Sequence, residues 1–445
     1  MVITKKKWTD WINSLNNTLK CSKDYYNDDL NTIINKDKDN LWGIYRLDML
    51  KKKIFPWDKE HHDNILNILQ EYLFYNNIYE YISISSPSEY VLKKISEIFI
   101  KKPSKIWQQN ELKIILNGAL ELAKKQLTTS THFIPIQLPK EKKPKCFFVG
   151  GIQILPEYHF FDVISDCIHT YNKKASYKNF VNDLGEYFEK FSWVAKIEIS
   201  NCNTKIANSK ALHCEKLLTA FISLFFEHGF IKYIIKEKNI YKKEVSLFIH
   251  DNIYNIEGNI QFSDFDRPHE NWTSIFEDES FLGINEIFKN IIHKICSCEL
   301  LPNLSSKYIQ ALEWYWDALN ENDKGASIIK LAISLESLIP NINKNELDKS
   351  NITQQFAQWI YFFVHEQFSK KEIKRFYEMR SRLTHGSNTG KVYAQNNEVV
   401  RTLDIGIQIT QTCLKTYLLW IGEESVFQDP PTDIIHEFYE KHIKP

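Results

Sequence analysis

The stretch Phe376-Tyr377-Glu378-Met379-Arg380-Ser381-Arg382-Leu383-Thr384-His385-Gly386 closes an amphipathic segment and sets an arginine and a histidine five residues apart. Ile373, Phe376, Tyr377 and Leu383 supply an apolar stripe, and Gly386 offers a left-handed stop, so residues 370–385 read as a helix. A guanidinium is a planar fork of donors matched to phosphate oxygens, and imidazole gives or takes a proton near neutrality. Arg380 and His385 are therefore suited to phosphodiester chemistry. Their spacing raises a geometric condition: at about 100° per residue, positions five apart point about 140° away from each other. They share a target only if the last turn loosens at Gly386, or if two chains each supply part of the site.

Working outward, 445 residues are enough for two to four domains with substantial cores. Lys plus Arg balances Asp plus Glu at 56 each, so no global field points to nucleic acid or to a membrane, and an anionic partner must be bound locally. The only arginines are Arg46, Arg267, Arg375, Arg380, Arg382 and Arg401, and three of the six fall within eight residues of one helix. Eight cysteines are dispersed with no CxxC pair and no secretory leader, so the expectation is a reduced, cytoplasmic protein. The longest apolar run, residues 217–226, is half the length a bilayer requires, and no membrane partner is expected.

The predicted fold class is mainly α with an α+β middle domain and a C-terminal antiparallel helical bundle. Residues 1–127 read as a helical N-terminal domain, with Ile65, Leu66, Leu69, Tyr72 and Leu73, and then Leu112, Ile115, Leu116, Ala119 and Leu122, at helical spacing. Residues 128–145 carry Pro135, Pro139 and Pro144 and read as a linker or exposed loop. Residues 146–270 read as an α+β domain with a sensing or regulatory role. Alternation at 194–199 and 245–249 predicts strands, Ile256, Ile260 and Phe262 around Gly258 extend a small sheet, and 209–229 reads as a helix. Residues 280–425 read as a bundle with helices at 285–298, 305–319, 323–339, 351–368, 370–385 and 397–422; residues 426–445 form a tail.

Two segments of that bundle together resemble a known family. Arg380 and His385 match the RxxxxH signature of HEPN domains. Ala332-Ile333-Ser334-Leu335-Glu336-Ser337-Leu338, some forty residues upstream, makes the last third of the chain resemble the Apea-like HEPN branch. The resemblance implies a helical bundle, a homodimer that joins two RxxxxH motifs in one cleft, and a metal-independent endoribonuclease with no cofactor. By that resemblance Arg380 and His385 are catalytic: Arg380 holds the scissile phosphate, and His385 acts as general acid or base while a ribose 2′-OH attacks. Ser381 and Arg382 are phosphate-binding or orienting. The substrate would be RNA, with tRNA one example, and the setting antiphage defence by abortive infection with a phage-encoded trigger protein. Ser387 stands where HEPN toxins partnered by nucleotidyltransferase antitoxins carry Tyr, so that partnership is not implied.

Other readings stay open. Arg380 and Arg382 can pair with Glu336 or Glu378 inside the bundle, and His385 can cap a helix. Glu336 lies on the apolar stripe Ile329, Ala332, Ile333 and Ile339, where a bare carboxylate is costly, so a structural ion pair with an arginine is its expected role. The bundle can equally be a catalytically inactive dimerisation or RNA-binding module, or part of a receptor for a phage protein. Soft ligands occur in His293-Lys294-Ile295-Cys296-Ser297-Cys298, but on a helix the two sulfurs of CxC point about 200° apart, which favours packing over metal binding. His213-Cys214 and Glu227-His228 read as polar groups satisfied in or beside a core helix. The Lys runs at 5–7, 51–53 and 140–145 read as solvated faces.

Overall fold

The computed structural model describes residues 3–26, 41–48, 53–76, 78, 82–101, 106–136, 138–139, 141, 143–160, 162–163, 193–226, 246–250, 253–257, 272–339, 352–384 and 396–423. His385, Gly386, Ser387, Glu227, His228, Gly229, Gly258, Ile260, Phe262 and the tail from residue 426 lie outside them. The chain divides into two compact units, residues 1–129 with 200–207, and residues 130–199 with 208–445.

The first unit is built on α1 (Lys5–Tyr26), α2 (Lys59–Tyr75), α3 (Ser85–Lys101) and α4 (Gln109–Lys124). Ile65, Leu69, Tyr72 and Leu73 of α2 and Leu112, Ile115, Leu116 and Ala119 of α4 join Trp8, Trp11 and Trp107 in one core. The helical stripes of the sequence are thus the buried faces, with Leu66 and Leu122 at their half-buried margins. A mainly helical reading of this region omits an antiparallel hairpin, β1 (Leu41–Asp48) with β2 (Lys53–Asp58). Gly43 and Pro56 interrupt its alternation, and both are ordinarily strand breakers.

In the second unit a six-stranded sheet has the order β4-β5-β6-β3-β7-β8, with β3 at Thr128–Ile136, β4 at Phe147–Val149, β5 at Ile152–Pro156, β6 at Trp193–Cys202, β7 at Ser246–His250 and β8 at Ile253–Glu257. The expected linker at 128–145 is corrected here: its first half is β3, an inner strand paired antiparallel to β7 through Thr131, His132 and Phe133. Its threonines are polar but β-branched, which suits a strand: Thr129 is exposed and Thr131 half-buried, while Ser130, His132, Ile134 and Ile136 form the buried face. Pro135 is accommodated because it lies past the residues that β7 pairs. Pro139 is equally committed, since its carbonyl accepts from the indoles of both Trp193 and Trp272, at 2.8 and 3.1 Å. At the β4–β5 turn Gly150 and Gly151 both have positive φ, the backbone of a two-residue hairpin.

α5 (Thr204–Ser223) follows β6, and six helices complete the unit: α6 (Glu279–Cys296), α7 (Asn303–Leu319), α8 (Lys324–Ser337), α9 (Ile352–Val364), α10 (Lys370–Thr384) and α11 (Asn396–Glu423). The fold is mainly α with an α+β part. α7 and α8 are antiparallel: Ser327 Oγ donates to the Ala318 carbonyl and Ser334 Oγ to that of Ala311, so seven residues up one helix match seven down the other. Small hydroxyl side chains at both points let the two backbones approach. α11 touches each of the other five helices and buries Ile407, Ile409, Cys413, Leu414, Tyr417, Leu418 and Ile421. It also caps the end of α5: Gln411 Nε2 donates to the carbonyls of Ser223, the last residue of α5, and of Phe226 in the turn after it, both at 3.0 Å. No helix among the described residues is long and apolar enough to cross a membrane.

Candidate functional site

The site is set by where α10 starts and what it leans on. Ser369 and Glu372 form a reciprocal cap: the Ser369 N–H donates to Glu372 Oε2 at 2.8 Å, and the Glu372 N–H to Ser369 Oγ at 3.3 Å. Donation from the Ser369 N–H, and then from its hydroxyl at 2.7 Å, holds the Glu372 carboxyl below the usual carboxylate range. With the start pinned, Ile373, Phe376 and Tyr377 fall on the buried face, and Arg380, one turn beyond Phe376, reaches its edge. Across from them α8 begins at Asp323, whose side chain accepts from the Ala326 N–H at 2.7 Å, and carries Glu336 to its last turn.

Glu336 and Arg380 meet there. Arg380 Nη2 lies 3.2 Å from Glu336 Oε1 and 3.4 Å from Oε2, with both side chains about a quarter to a third exposed. Tyr377 completes the group. Its hydroxyl donates to Glu336 Oε1 at 2.7 Å, its ring stacks on Phe356 at 4.1 Å, and the Arg380 guanidinium sits 5.4 Å from the ring centre. Burial first, and then the bond to Glu336, raises the Tyr377 phenol so far that it remains a neutral donor across the working pH range. Arg380 Nε is buried without a partner, and among the described residues nothing bonds to Nη1. The guanidinium is therefore anchored on one side, with a second nitrogen available to an acceptor.

The remaining expected site residues are arranged differently. Ser381 is half-buried and its hydroxyl makes no hydrogen bond with a described residue, so it does not orient Arg380 in this state. Arg382 is exposed and has no described ion-pair partner, while Glu378 lies 3.9 Å from Lys374. Of the pairings that the sequence leaves open, the one formed is Arg380 with Glu336. His385 lies just past the last described residue of α10. Tyr377 is the participant that sequence reasoning counted only as part of the apolar stripe. Its signal was position, three residues before Arg380 and hence on the same helix face.

Beside this cluster, α10 and α11 enclose a groove of 400 Å³ lined by Glu372, Arg375, Phe376, Glu398, Arg401 and Thr402, among others. Arg375 Nη2 pairs there with Glu398 Oε1 at 3.2 Å. Elsewhere, His213 Nε2 and Glu313 Oε1 are 2.9 Å apart, and Lys216 and Asp317 also pair at 2.9 Å, joining α5 to α7. Among the described residues no group of three His, Cys, Asp or Glu side chains is spaced to hold a metal ion. Comparison with protein-family models, with curated proteins and with solved structures returns no match.

Proposed function

We propose that this chain is a metal-independent endoribonuclease of HEPN type, with Arg380 and His385 as half of a cleft that a second copy completes. The reading rests on one observation above others. The described parts of the two segments that carry the family resemblance, 332–337 on α8 and 376–384 on α10, lie on helices that pack together, and their signature residues Glu336 and Arg380 make a direct contact. The carboxylate, itself held by the Tyr377 hydroxyl, keeps the guanidinium in a set orientation, which a charge-stabilising group needs before the reaction begins.

In the proposed step a ribose 2′-OH loses its proton to one imidazole and attacks the adjacent phosphorus. Arg380 stabilises the negative charge on the equatorial oxygens, and the 5′-oxygen leaves with a proton from the second imidazole. The products are a 2′,3′-cyclic phosphate and a 5′-hydroxyl. Since Arg380 and a helical position 385 diverge by about 140°, the paired arrangement of two chains supplies the two groups to one phosphate. RNA, with tRNA as one candidate, is the substrate class, and the first unit is assigned a regulatory role in an antiphage effector.

A second reading has its own support. Glu336 offsets the charge of Arg380, and in a silent RNA-binding or dimerisation module that pair would be structural. Incubation of the purified chain with total RNA separates the two. The nuclease predicts cleavage that survives a chelator, products ending in 2′,3′-cyclic phosphate, and losses of at least about 100-fold in Arg380→Ala and His385→Ala, with dimer mass unchanged by light scattering. Cleavage retained by both variants, or none by the parent chain under conditions that give a dimer, overturns it.

A further inference from the structure

Two cysteine-bearing motifs that this chemistry leaves unused, His213-Cys214 and Cys296-Ser297-Cys298, converge in the second unit. Cys214 lies in the middle of α5 and Cys296 is the last residue of α6, yet their sulfurs are 3.7 Å apart. We propose that Cys214 and Cys296 form an oxidisable dithiol, a modification site at which a peroxide links α5 to α6 by a disulfide.

The geometry supports this in three ways. First, the sulfurs are in van der Waals contact and need to close by less than about 2 Å to reach the bond length of about 2.05 Å. Second, access is unequal: Cys214 is fully buried, whereas Cys296 is half-buried and reaches solvent. An oxidant therefore meets Cys296 first, and Cys214 waits beneath it. Third, the helix that carries Cys296 stops immediately after it. After α6 ends, the Cys298 N–H bonds back to Ile295 and the Glu299 N–H to Lys294, a helix stop whose left-handed position ordinarily takes glycine. Here Cys298 occupies it, with φ of 58°, and it is buried. Because Cys298 is off the helix, the angular argument that separates the two sulfurs of a helical CxC does not hold.

The chemistry balances with a peroxide as oxidant. The Cys296 thiolate attacks a peroxide oxygen, the O–O bond breaks, and hydroxide leaves to become water, giving a sulfenic acid. The hydrogen bond to Cys296, and secondly burial, raise the Cys214 thiol well above its usual range, so it keeps its proton until this stage. Its sulfur then attacks the Cys296 sulfur, the S–O bond breaks, and the proton of Cys214 leaves with the hydroxyl as a second water. Two thiols have lost two electrons and peroxide has gained them. A dithiol reductant reverses the bond.

Full-length protein treated with hydrogen peroxide, alkylated and digested should yield a linked Cys214–Cys296 peptide. The crosslink closes a separation of 82 residues, so Tm should rise by about 5 °C and return on adding dithiothreitol. Cys214→Ser should abolish the link and leave Cys296 as a sulfenic acid captured by dimedone, whereas Cys298→Ser should keep the link. A bond between Cys296 and Cys298, a bond between two chains, or overoxidation of Cys296 in the parent protein with no link would overturn the proposal. The parent protein alone decides these outcomes, whether or not a variant folds.

Discussion

Gly406 of α11 faces the ring of Phe376 so closely that a Cβ at that position would lie 2.4 Å from Cε2. Phe376 is buried and sits one turn before Arg380, so this contact sets how deeply α10 sinks against the central helix. Gly406→Ala therefore forces the ring or the whole helix to move. Overpacking of this kind costs about 1–3 kcal/mol. Denaturant unfolding should show that loss, and under the proposed function RNA cleavage should fall by more than the folded fraction does.

Glu336, Tyr377 and Arg380 act as one unit, and their energetics should be non-additive. Tyr377→Phe removes a hydrogen bond to a carboxylate and should cost about 1.5–3 kcal/mol. Glu336→Gln should cost a similar amount, because it weakens both that bond and the contact with Arg380. A double-mutant cycle should report a coupling of about 1 kcal/mol or more. Strict additivity within about 0.3 kcal/mol would mean that the three side chains are neighbours without a shared network.

His132 predicts an acid-sensitive core. It is fully buried on β3, its Nε2 lies 2.8 Å from Ser130 Oγ, and burial lowers its pKa from 6.5 to about 4. The unfolded chain therefore binds a proton that the folded one refuses between these two values. Stability from this group is complete above pH 6.5 and is lost progressively as pH falls toward 4, by about 3 kcal/mol in all. Urea titrations at pH 7.0 and 5.0 measure it. His132→Gln should flatten that limb of the profile, whatever its own stability.

The β4–β5 turn offers a test of the sheet's anchorage. The Gly150 N–H donates to Asn285 Oδ1 of α6 at 2.7 Å, and a Cβ on Gly150 would meet Ile292 and Phe288 at 3.0 and 3.1 Å. Gly150→Ala should cost about 1–2 kcal/mol for the left-handed backbone alone, and more if α6 cannot give. Asn285→Leu, which removes the acceptor from a buried donor, should destabilise by about 1–3 kcal/mol. A change in neither would mean that the hairpin tip does not anchor the sheet.

The bundle was legible in sequence because each helix buries one stripe against a neighbour. Five of the six expected helices agree with the structure to within a few residues at nearly every end; the first starts six residues before the expected 285, at Glu279, where Asp278 supplies the cap. The strands at 194–199 and 245–249 were legible by alternation and correspond to β6 and β7. β3 was not, because its buried face carries the polar Ser130 and His132 beside Ile134 and Ile136, which blurs the alternation, and its threonines and Pro135 look like loop chemistry. The β1–β2 hairpin was hidden by Gly43 and Pro56. At the candidate site, Arg380 and Glu336 could be singled out by type and spacing, but the carboxylate had two arginines to choose from.

What sequence by itself determined was therefore local: which segments are helices, which faces are apolar, and that an arginine stands on the edge of the stripe. Those properties follow from the 3.6-residue period and from the side chains within one turn. Tertiary structure alone decided that Glu336 meets Arg380 rather than Arg382, that Tyr377 completes the pair, and that Cys214 lies against Cys296 from 82 residues away. The reason is that a contact between distant segments depends on how two helices cross and on which small residue lets them approach. No periodicity within either segment encodes that crossing.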